Sequence, residues 1–278
     1  MNTEAAVIAT KFPAGWDLSV FSDEIDPDLE IQLEEVKRAG LNYFDLRTAL
    51  DKNVLDLSDK EIDRVAATAH QFGLQVKCIG SPVNKHPFRP EDRSRELQRL
   101  RRIVEIAQRL KAPYIRIFSP FVGGASRAPE YEEIRDWLAD QIKLAEEQGV
   151  VLLLENDGDA YGAFPENAKK LFQDLGNAHF RAVYDFSNAV LIGYPALPHW
   201  FPWILPFLEA LHIKDSLAAR DGEGYDQIVP AGEGEGNVPE VLRVLVDQGW
   251  KGPVSIEPHL SRIGKKRGLD SSGAGRPF

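Results

Sequence analysis

EYEEIRDWLADQIKLAEEQGVVLLLEND, residues 130–157, is a stretch of helical period closed by a glycine and followed at once by a short apolar run ending in an acid. Apolar residues at helical spacing up to Gly149 predict an amphipathic helix, and the run from Val150 to Leu154 predicts a buried strand. The same order of parts recurs on both sides. DPDLEIQLEEVKRAG carries Leu29, Leu33 and Val36 on one stripe, with Asp26 expected as N-cap and Pro27 in the first turn, and gives way after Gly40 to LNYFDLR. LSDKEIDRVAATAHQFG opens with Ser58 and Glu61 at capping-box spacing and leads to LQVKCIG. RELQRLRRIVEIAQRLKAP leads to YIRIFS, ENAKKLFQDLGNAHF to RAVYDFS, a Pro/Trp-rich segment to LEALHIKDS, and VPEVLRVLVDQGWKG to PVSIEPH.

With WDLSVFSDE in front, these make eight candidate strands, each but the last followed by a helix-compatible segment. Strict alternation argues for a parallel sheet with helices outside it, and eight units fit a single (β/α)8 barrel. A doubly wound open sheet is the runner-up, but SVFSDEID lacks the Gly-rich turn that such a sheet carries after its first strand. The expected organisation is one barrel over residues 1–264 and a flexible, basic, glycine-rich tail over 265–278.

Composition narrows the class. An apolar fraction of 43% with 27% charged residues is that of a globular chain with ample core. A net charge of -10 repels a phosphate backbone, so nucleic acid is not expected as a partner. The single cysteine, Cys78, allows no internal disulfide, and no Cys/His spacing of a structural zinc site is present. No apolar run approaches the ~20 residues of a membrane helix. The first residues lack a basic segment before an apolar stretch, so the expected location is cytoplasmic. A homo-oligomer is compatible with all of this.

The chemistry of such a barrel sits at the carboxyl ends of its strands. The fifth predicted strand ends in Glu155, the sixth in Asp185, the seventh in His212 and the eighth in Glu257, at intervals of 30, 27 and 45 residues. Because side chains alternate along a strand, Glu155 shares a face with Leu153, Asp185 with Val183 and Glu257 with Ser255, so all can face the barrel axis. Taken singly, each acid reads equally as a helix cap or a solvated loop residue, and the histidine as a structural one. Taken together, three converging carboxylates repel one another unless a positive charge lies between them. One divalent cation, held by Glu155, Asp185, His212 and Glu257, resolves this; one imidazole with three carboxylates suits manganese, magnesium, cobalt or zinc.

LLLEND, VYDFSNAV, LHIKDS and GEGEGNVPEVLRVLVDQGWKGPVSIEPH together resemble the xylose-isomerase-like barrel superfamily of sugar phosphate isomerases and epimerases. The resemblance implies a single divalent metal on Glu155, Asp185, His212 and Glu257, with Glu155 and Glu257 as the catalytic acids and bases that flank a carbohydrate and move its proton. Two positions depart from the ketose epimerases of that group. Asn188 stands where they place a second histidine, so it is the expected substrate contact there, and Tyr161 stands where they place an acid.

Further substrate contacts are expected at Lys85, Lys214 and His259 by their positions after the third, seventh and eighth strands. Lys214 reads either as an oxyanion or phosphate binder or as a surface lysine with its head in water. Arg47 and Arg116 read either as binders of a substrate carboxylate or phosphate or as interior ion pairs. Glu24 is a lip residue or a helix start. Trp200, Phe201 and Trp203 either roof the pocket or pack a helix. The expected activity is isomerisation or epimerisation of a sugar or sugar phosphate. The alternative is dehydration of a keto-polyol of the inosose type. A phosphodiesterase acting on abasic DNA is disfavoured by only six histidines and the acidic charge, and a non-catalytic sugar-binding barrel by the complete ligand set.

Overall fold

The computed structural model of the chain describes residues 12–123, 128–218 and 227–259. Eight parallel strands form one sheet: β1 (Trp16–Val20), β2 (Tyr43–Leu46), β3 (Gln75–Gly80), β4 (Tyr114–Ile117), β5 (Val151–Glu155), β6 (Phe180–Asp185), β7 (Leu208–Ile213) and β8 (Gly252–Ile256). From β2 to β8 each strand pairs with the next in the chain, β8 returns to β1, and an isolated parallel bridge from Phe21 to Asp45 joins the first unit to the second. The molecule is a (β/α)8 barrel, as the alternation of helix-period and apolar segments predicts. The tail at 265–278 and the last part of the expected barrel, 260–264, lie outside the described residues.

Helices α1 (Leu29–Arg38), α2 (Asp59–Phe72), α3 (Arg93–Leu110), α4 (Tyr131–Gln148) and α5 (Pro165–Leu175) follow the first five strands. Three short helices, α6 (Phe186–Leu191), α7 (Ala196–His199) and α8 (Phe201–Ile204), fill the sixth connection, and α9 (Val238–Asp247) precedes β8. The predicted capping box at Ser58 and Glu61 forms, and Gly73 and Gly149 end α2 and α4 in the left-handed conformation that a side chain resists. One cap differs from expectation. Asp28, not Asp26, accepts the free amides of Glu30 and Ile31; the Asp26 carboxylate, two residues before it, instead receives the amide of Asp28.

Alternation along the strands separates two cores. Leu152 and Leu154 point outward into the layer shared with Ile134, Leu138 and Ile142 of α4. Leu153 points inward and meets Cys78, Val183 and Ala210 in a small apolar cluster inside the barrel. That cluster plugs the barrel just below the strand ends, so the polar residues one step further along each strand rest on an apolar floor. Trp200 and Phe201 are buried against Tyr184, which assigns them to helix packing and not to a pocket roof.

Two loops at the carboxyl end are fixed by single buried polar side chains. Asn84, in left-handed backbone after β3, donates to Phe118 and Gln141 and accepts from Trp137. Asp215, just past β7, accepts four amides, from Ser216, Gly232, Gly234 and Gly236, and so moulds residues 232–236 around one carboxylate. A Cβ on Gly234 would lie 2.2 Å from that carboxylate, which is why glycine is needed there. Asp215→Ala strands these donors, and each unsatisfied amide costs ~1–3 kcal/mol less whatever water recovers. The expected result is a loss of at least ~2 kcal/mol in urea unfolding, with faster proteolysis inside 230–237.

Candidate metal centre

The side chains of Glu155, Asp185, His212 and Glu257 meet at the closed end of the mouth, with one donor atom from each lying within 4.8 Å of the others. All four are buried. Pairing of the strands brings them level: Asp185 is in register with His212, and His212 with Ser255, two residues before Glu257. His212 turns Nδ1 toward the glutamates, 3.2 Å from Glu155 Oε1 and 3.7 Å from Glu257 Oε2, while the ring of Phe21 stands edge-on to its face.

Each glutamate has one oxygen in the cluster and the other on an arginine. Glu257 Oε1 lies 2.8 Å from Arg47 Nη1, and Glu155 Oε2 lies 3.4 Å from Arg116 Nη1. Arg47 also holds Asp23 at 2.8 Å and Glu24 at 3.2 Å. Both arginines therefore act as interior ion pairs, the second of the two readings open from sequence. Lys214 is buried, with Nζ 2.9 Å from Asp185 Oδ2 and 3.5 Å from Glu257 Oε2; the surface-lysine reading is overturned because β7 carries the side chain inward with His212.

The electrostatics set what a cation would meet here. Burial pushes Asp185 up to about 6, and Glu155 and Glu257 push it the same way against the pull of Lys214. Burial also works against ionised Glu155, but His212 and Arg116 outweigh it and hold the group at about 2. Burial opposes ionised Glu257 too, and Lys214 and Arg47 overcome it and keep it well below the usual carboxylate range. Like charges at this separation disfavour one another in a buried site, and a divalent ion removes the conflict. Three carboxylate oxygens and one imidazole nitrogen fit manganese, magnesium, cobalt or zinc.

Glu24, Glu257 and His259 form a second group with donor atoms within the same distance. Cationic side chains already lie among its donors. His259 Nδ1 and its backbone amide both contact Glu24, at 2.9 and 2.6 Å, Arg47 bridges Glu24 to Glu257, and Lys214 Nζ lies 3.4 Å from His259 Nε2. Glu257 is common to both groups, and the group of four offers the larger set of donors, all of them buried.

Of the other expected contacts, Asn188 donates to Glu155 Oε1 at 3.2 Å and so borders the cluster, and His259 borders it through Lys214. Lys85 does not join the four; it pairs with Asp157 at 2.9 Å and lies over the ring of Phe118. Two buried residues escaped the sequence reading. Asn156, directly after Glu155, accepts the amide of Asp185 and donates to its carbonyl, locking β5 to β6 at the site. Asp45, on β2, accepts from Ser19, Ser255 and the amide of Cys78, and burial raises it to about 6. The polar letters inside LLLEND and YFDL were the available signals.

A family model described as the xylose isomerase-like TIM barrel matches residues 33–272. An uncharacterized protein of Methanocaldococcus jannaschii is 29% identical over 128 residues, a match covering 43% of this chain and 41% of that protein. Among solved structures, a xylose isomerase-like TIM barrel protein from Mycobacterium smegmatis in complex with magnesium superposes with a TM-score of 0.69 at 18% identity, over 94% of this chain and 95% of that one. The 3-keto-D-glucoside 4-epimerase YcjR from E. coli superposes with a TM-score of 0.65 at 15% identity, over 91% and 98%. At these identities the structural likeness is one of fold.

Two substitutions test the arrangement. Asn156→Ala removes two buried hydrogen bonds and leaves an amide and a carbonyl unpaired, so stability in urea is expected to fall by ~2–4 kcal/mol. For Asp45 the folded-state value, about 6, lies above the ordinary 3.8, so the folded protein takes up the proton first. Its contribution therefore favours the fold below that window and is lost as pH rises through it, by up to ~3 kcal/mol. Asp45→Asn is expected to flatten the stability profile across that pH range relative to the unaltered chain.

Proposed function

The chain belongs to the xylose isomerase-like TIM barrel family, and from that premise we propose that it is a divalent-metal-dependent isomerase or epimerase of a sugar or sugar phosphate. The observation that carries this is the convergence of Glu155, Asp185, His212 and Glu257 on one point, with the two glutamates arriving from strands on opposite sides of β6 and β7. The epimerase among the solved structures of this fold supports the same reading.

A bound divalent ion supplies stabilisation of the negative charge that develops on a carbonyl oxygen when the neighbouring carbon loses a proton. The remaining steps belong to the chain. Glu155 and Glu257 stand at two sides of the centre, so one removes the carbon-bound proton and the other returns a proton to the opposite face. Arg116 and Arg47 hold the outer oxygen of each glutamate and leave the inner one directed at the site. Lys214, kept as an ammonium by Asp185 and Glu257 despite its burial, steadies oxygen charge next to the reacting carbon. Asn188 and His259 border the same space and bind substrate hydroxyls, with Lys85 further out on the rim.

Elemental analysis of the purified protein is expected to give about one divalent ion per chain, falling at least ~10-fold in His212→Ala and Glu257→Ala. An ion that survives in both variants removes the proposal. With the metal-loaded protein, proton exchange with deuterated solvent at a carbon next to the carbonyl of a ketose is the expected activity, reduced ~10²–10⁴-fold by Glu155→Gln or Glu257→Gln. Loss of water from a keto-inositol in the same assay, without exchange on ketoses, assigns the dehydratase chemistry instead.

A further inference from the structure

Phe21, directly after β1, is wholly buried at the mouth, and none of the steps above uses it. Three of the side chains that touch the two glutamates rest on its ring. The guanidinium of Arg47, the partner of Glu257, lies over the ring with Cζ 4.8 Å from its centre. That of Arg116, the partner of Glu155, lies over the same ring at 5.9 Å and over the ring of Phe118 at 4.3 Å. The imidazole of His212, which faces both glutamates, meets Phe21 nearly at right angles with ring centres 5.1 Å apart. Backbone contacts fix where the ring sits: the Phe21 amide donates to the carbonyl of Ile256 on β8, and the residue bridges to Asp45 on β2. Gly80, at the end of β3, packs against it closely enough that a Cβ there would stand 2.8 Å from Phe21 Cε1, 3.1 Å from Arg47 Cβ and 3.3 Å from Arg116 Nη2.

A guanidinium is a flat group on a long flexible stem, and one ion pair leaves it several ways to meet a carboxylate. Arg116 has the greater need of a further support: its contact with Glu155 is 3.4 Å, and its Nε is buried with no hydrogen-bond partner among the described residues. The negative face of an aromatic ring holds a guanidinium at a set height and desolvated. We propose that Phe21 is a positioning residue for the proton transfer: its ring sets Arg47, Arg116 and His212 relative to one another, and through them the direction in which Glu155 and Glu257 present their inner oxygens. This rests on the metal-dependent reading above. An aliphatic side chain of similar size fills the same space without the ring's charge distribution, which separates positioning from packing.

The test compares three variants of the full-length protein: Phe21→Leu, which removes the ring, Gly80→Ala, which displaces it, and Leu138→Ala, a core change in the layer between α4 and the barrel. Loaded with manganese, all three are expected to hold about one ion per chain, since the four donors remain. The electron paramagnetic resonance spectrum of that manganese is expected to change in the first two and not in the third. Proton exchange on a ketose in deuterated solvent is expected to lose roughly 10–100-fold in turnover in the first two, per folded molecule, with KM nearly unchanged. In crystals of metal-free Phe21→Leu or Gly80→Ala, Arg47 and Arg116 are expected to leave the glutamate oxygens they hold in the unaltered chain. Preserved contacts with an unaltered spectrum and unaltered turnover, or equal losses in Leu138→Ala, reduce Phe21 to core filling and overturn the proposal. If the unaltered protein binds no metal or exchanges no ketose proton, the sugar-isomerase reading falls instead, and the crystal contacts decide Phe21 by themselves. If Phe21→Leu does not fold, Gly80→Ala decides.

Discussion

Three carboxylates buried at one end of a barrel repel one another, and much of this molecule is arranged around that conflict. Asp185, Glu155 and Glu257 cannot all stay ionised in a dry site unless cations meet them, and the chain supplies Arg116, Arg47 and Lys214 in contact with them. Those three also face Asp23 and Glu24, so five carboxylates share three permanent cations. The proposed metal would sit where four donor atoms converge among carboxylates that outnumber the cations meeting them.

The barrel separates the tasks of holding and reacting. Leu153, Val183, Ala210 and Cys78 close the interior beneath the site, so the carboxylates rest on apolar packing that does not respond to what binds above. The connections above are held by internal polar anchors. Asp215 gathers the glycine-rich loop, Asn84 the loop carrying Lys85, and Asn156 the join between β5 and β6. Each anchor is a buried side chain with its hydrogen bonds satisfied, by backbone groups for Asp215 and Asn156 and by one carbonyl and the side chains of Gln141 and Trp137 for Asn84, a costly arrangement to disturb and therefore one that keeps the mouth in shape.

The two arginines illustrate how position in the fold changes a residue's meaning. As letters in the sequence, Arg47 and Arg116 are equally suited to a substrate anion and to an interior pair. In the barrel, β4 is paired with β5, which carries Glu155, and β2 lies one strand beyond β1 from the end of β8 that carries Glu257, and each guanidinium takes the outer oxygen of its partner. Arg47 further packs over Phe21, whose ring supports His212, so the first, second, seventh and eighth strands share one connected set of contacts.

What the sequence determined by itself was periodic or local. Helical stripes ending at glycines, short apolar runs and strict alternation define eight units, because period and glycine conformation are properties of neighbouring residues. The strand-end acids and His212 were legible for the same reason: equivalent positions in successive units must lie side by side on a parallel barrel. What only the tertiary structure decided were the partners drawn from other units. Arg47 meeting Glu257, Lys214 turning into the carboxylates, Asn156 bonding the backbone of residue 185, and Asp45 receiving Ser19 and Ser255 all join residues that share no spacing rule. Their contacts depend on strand register and side-chain reach across the barrel, and these exist only once the barrel has closed.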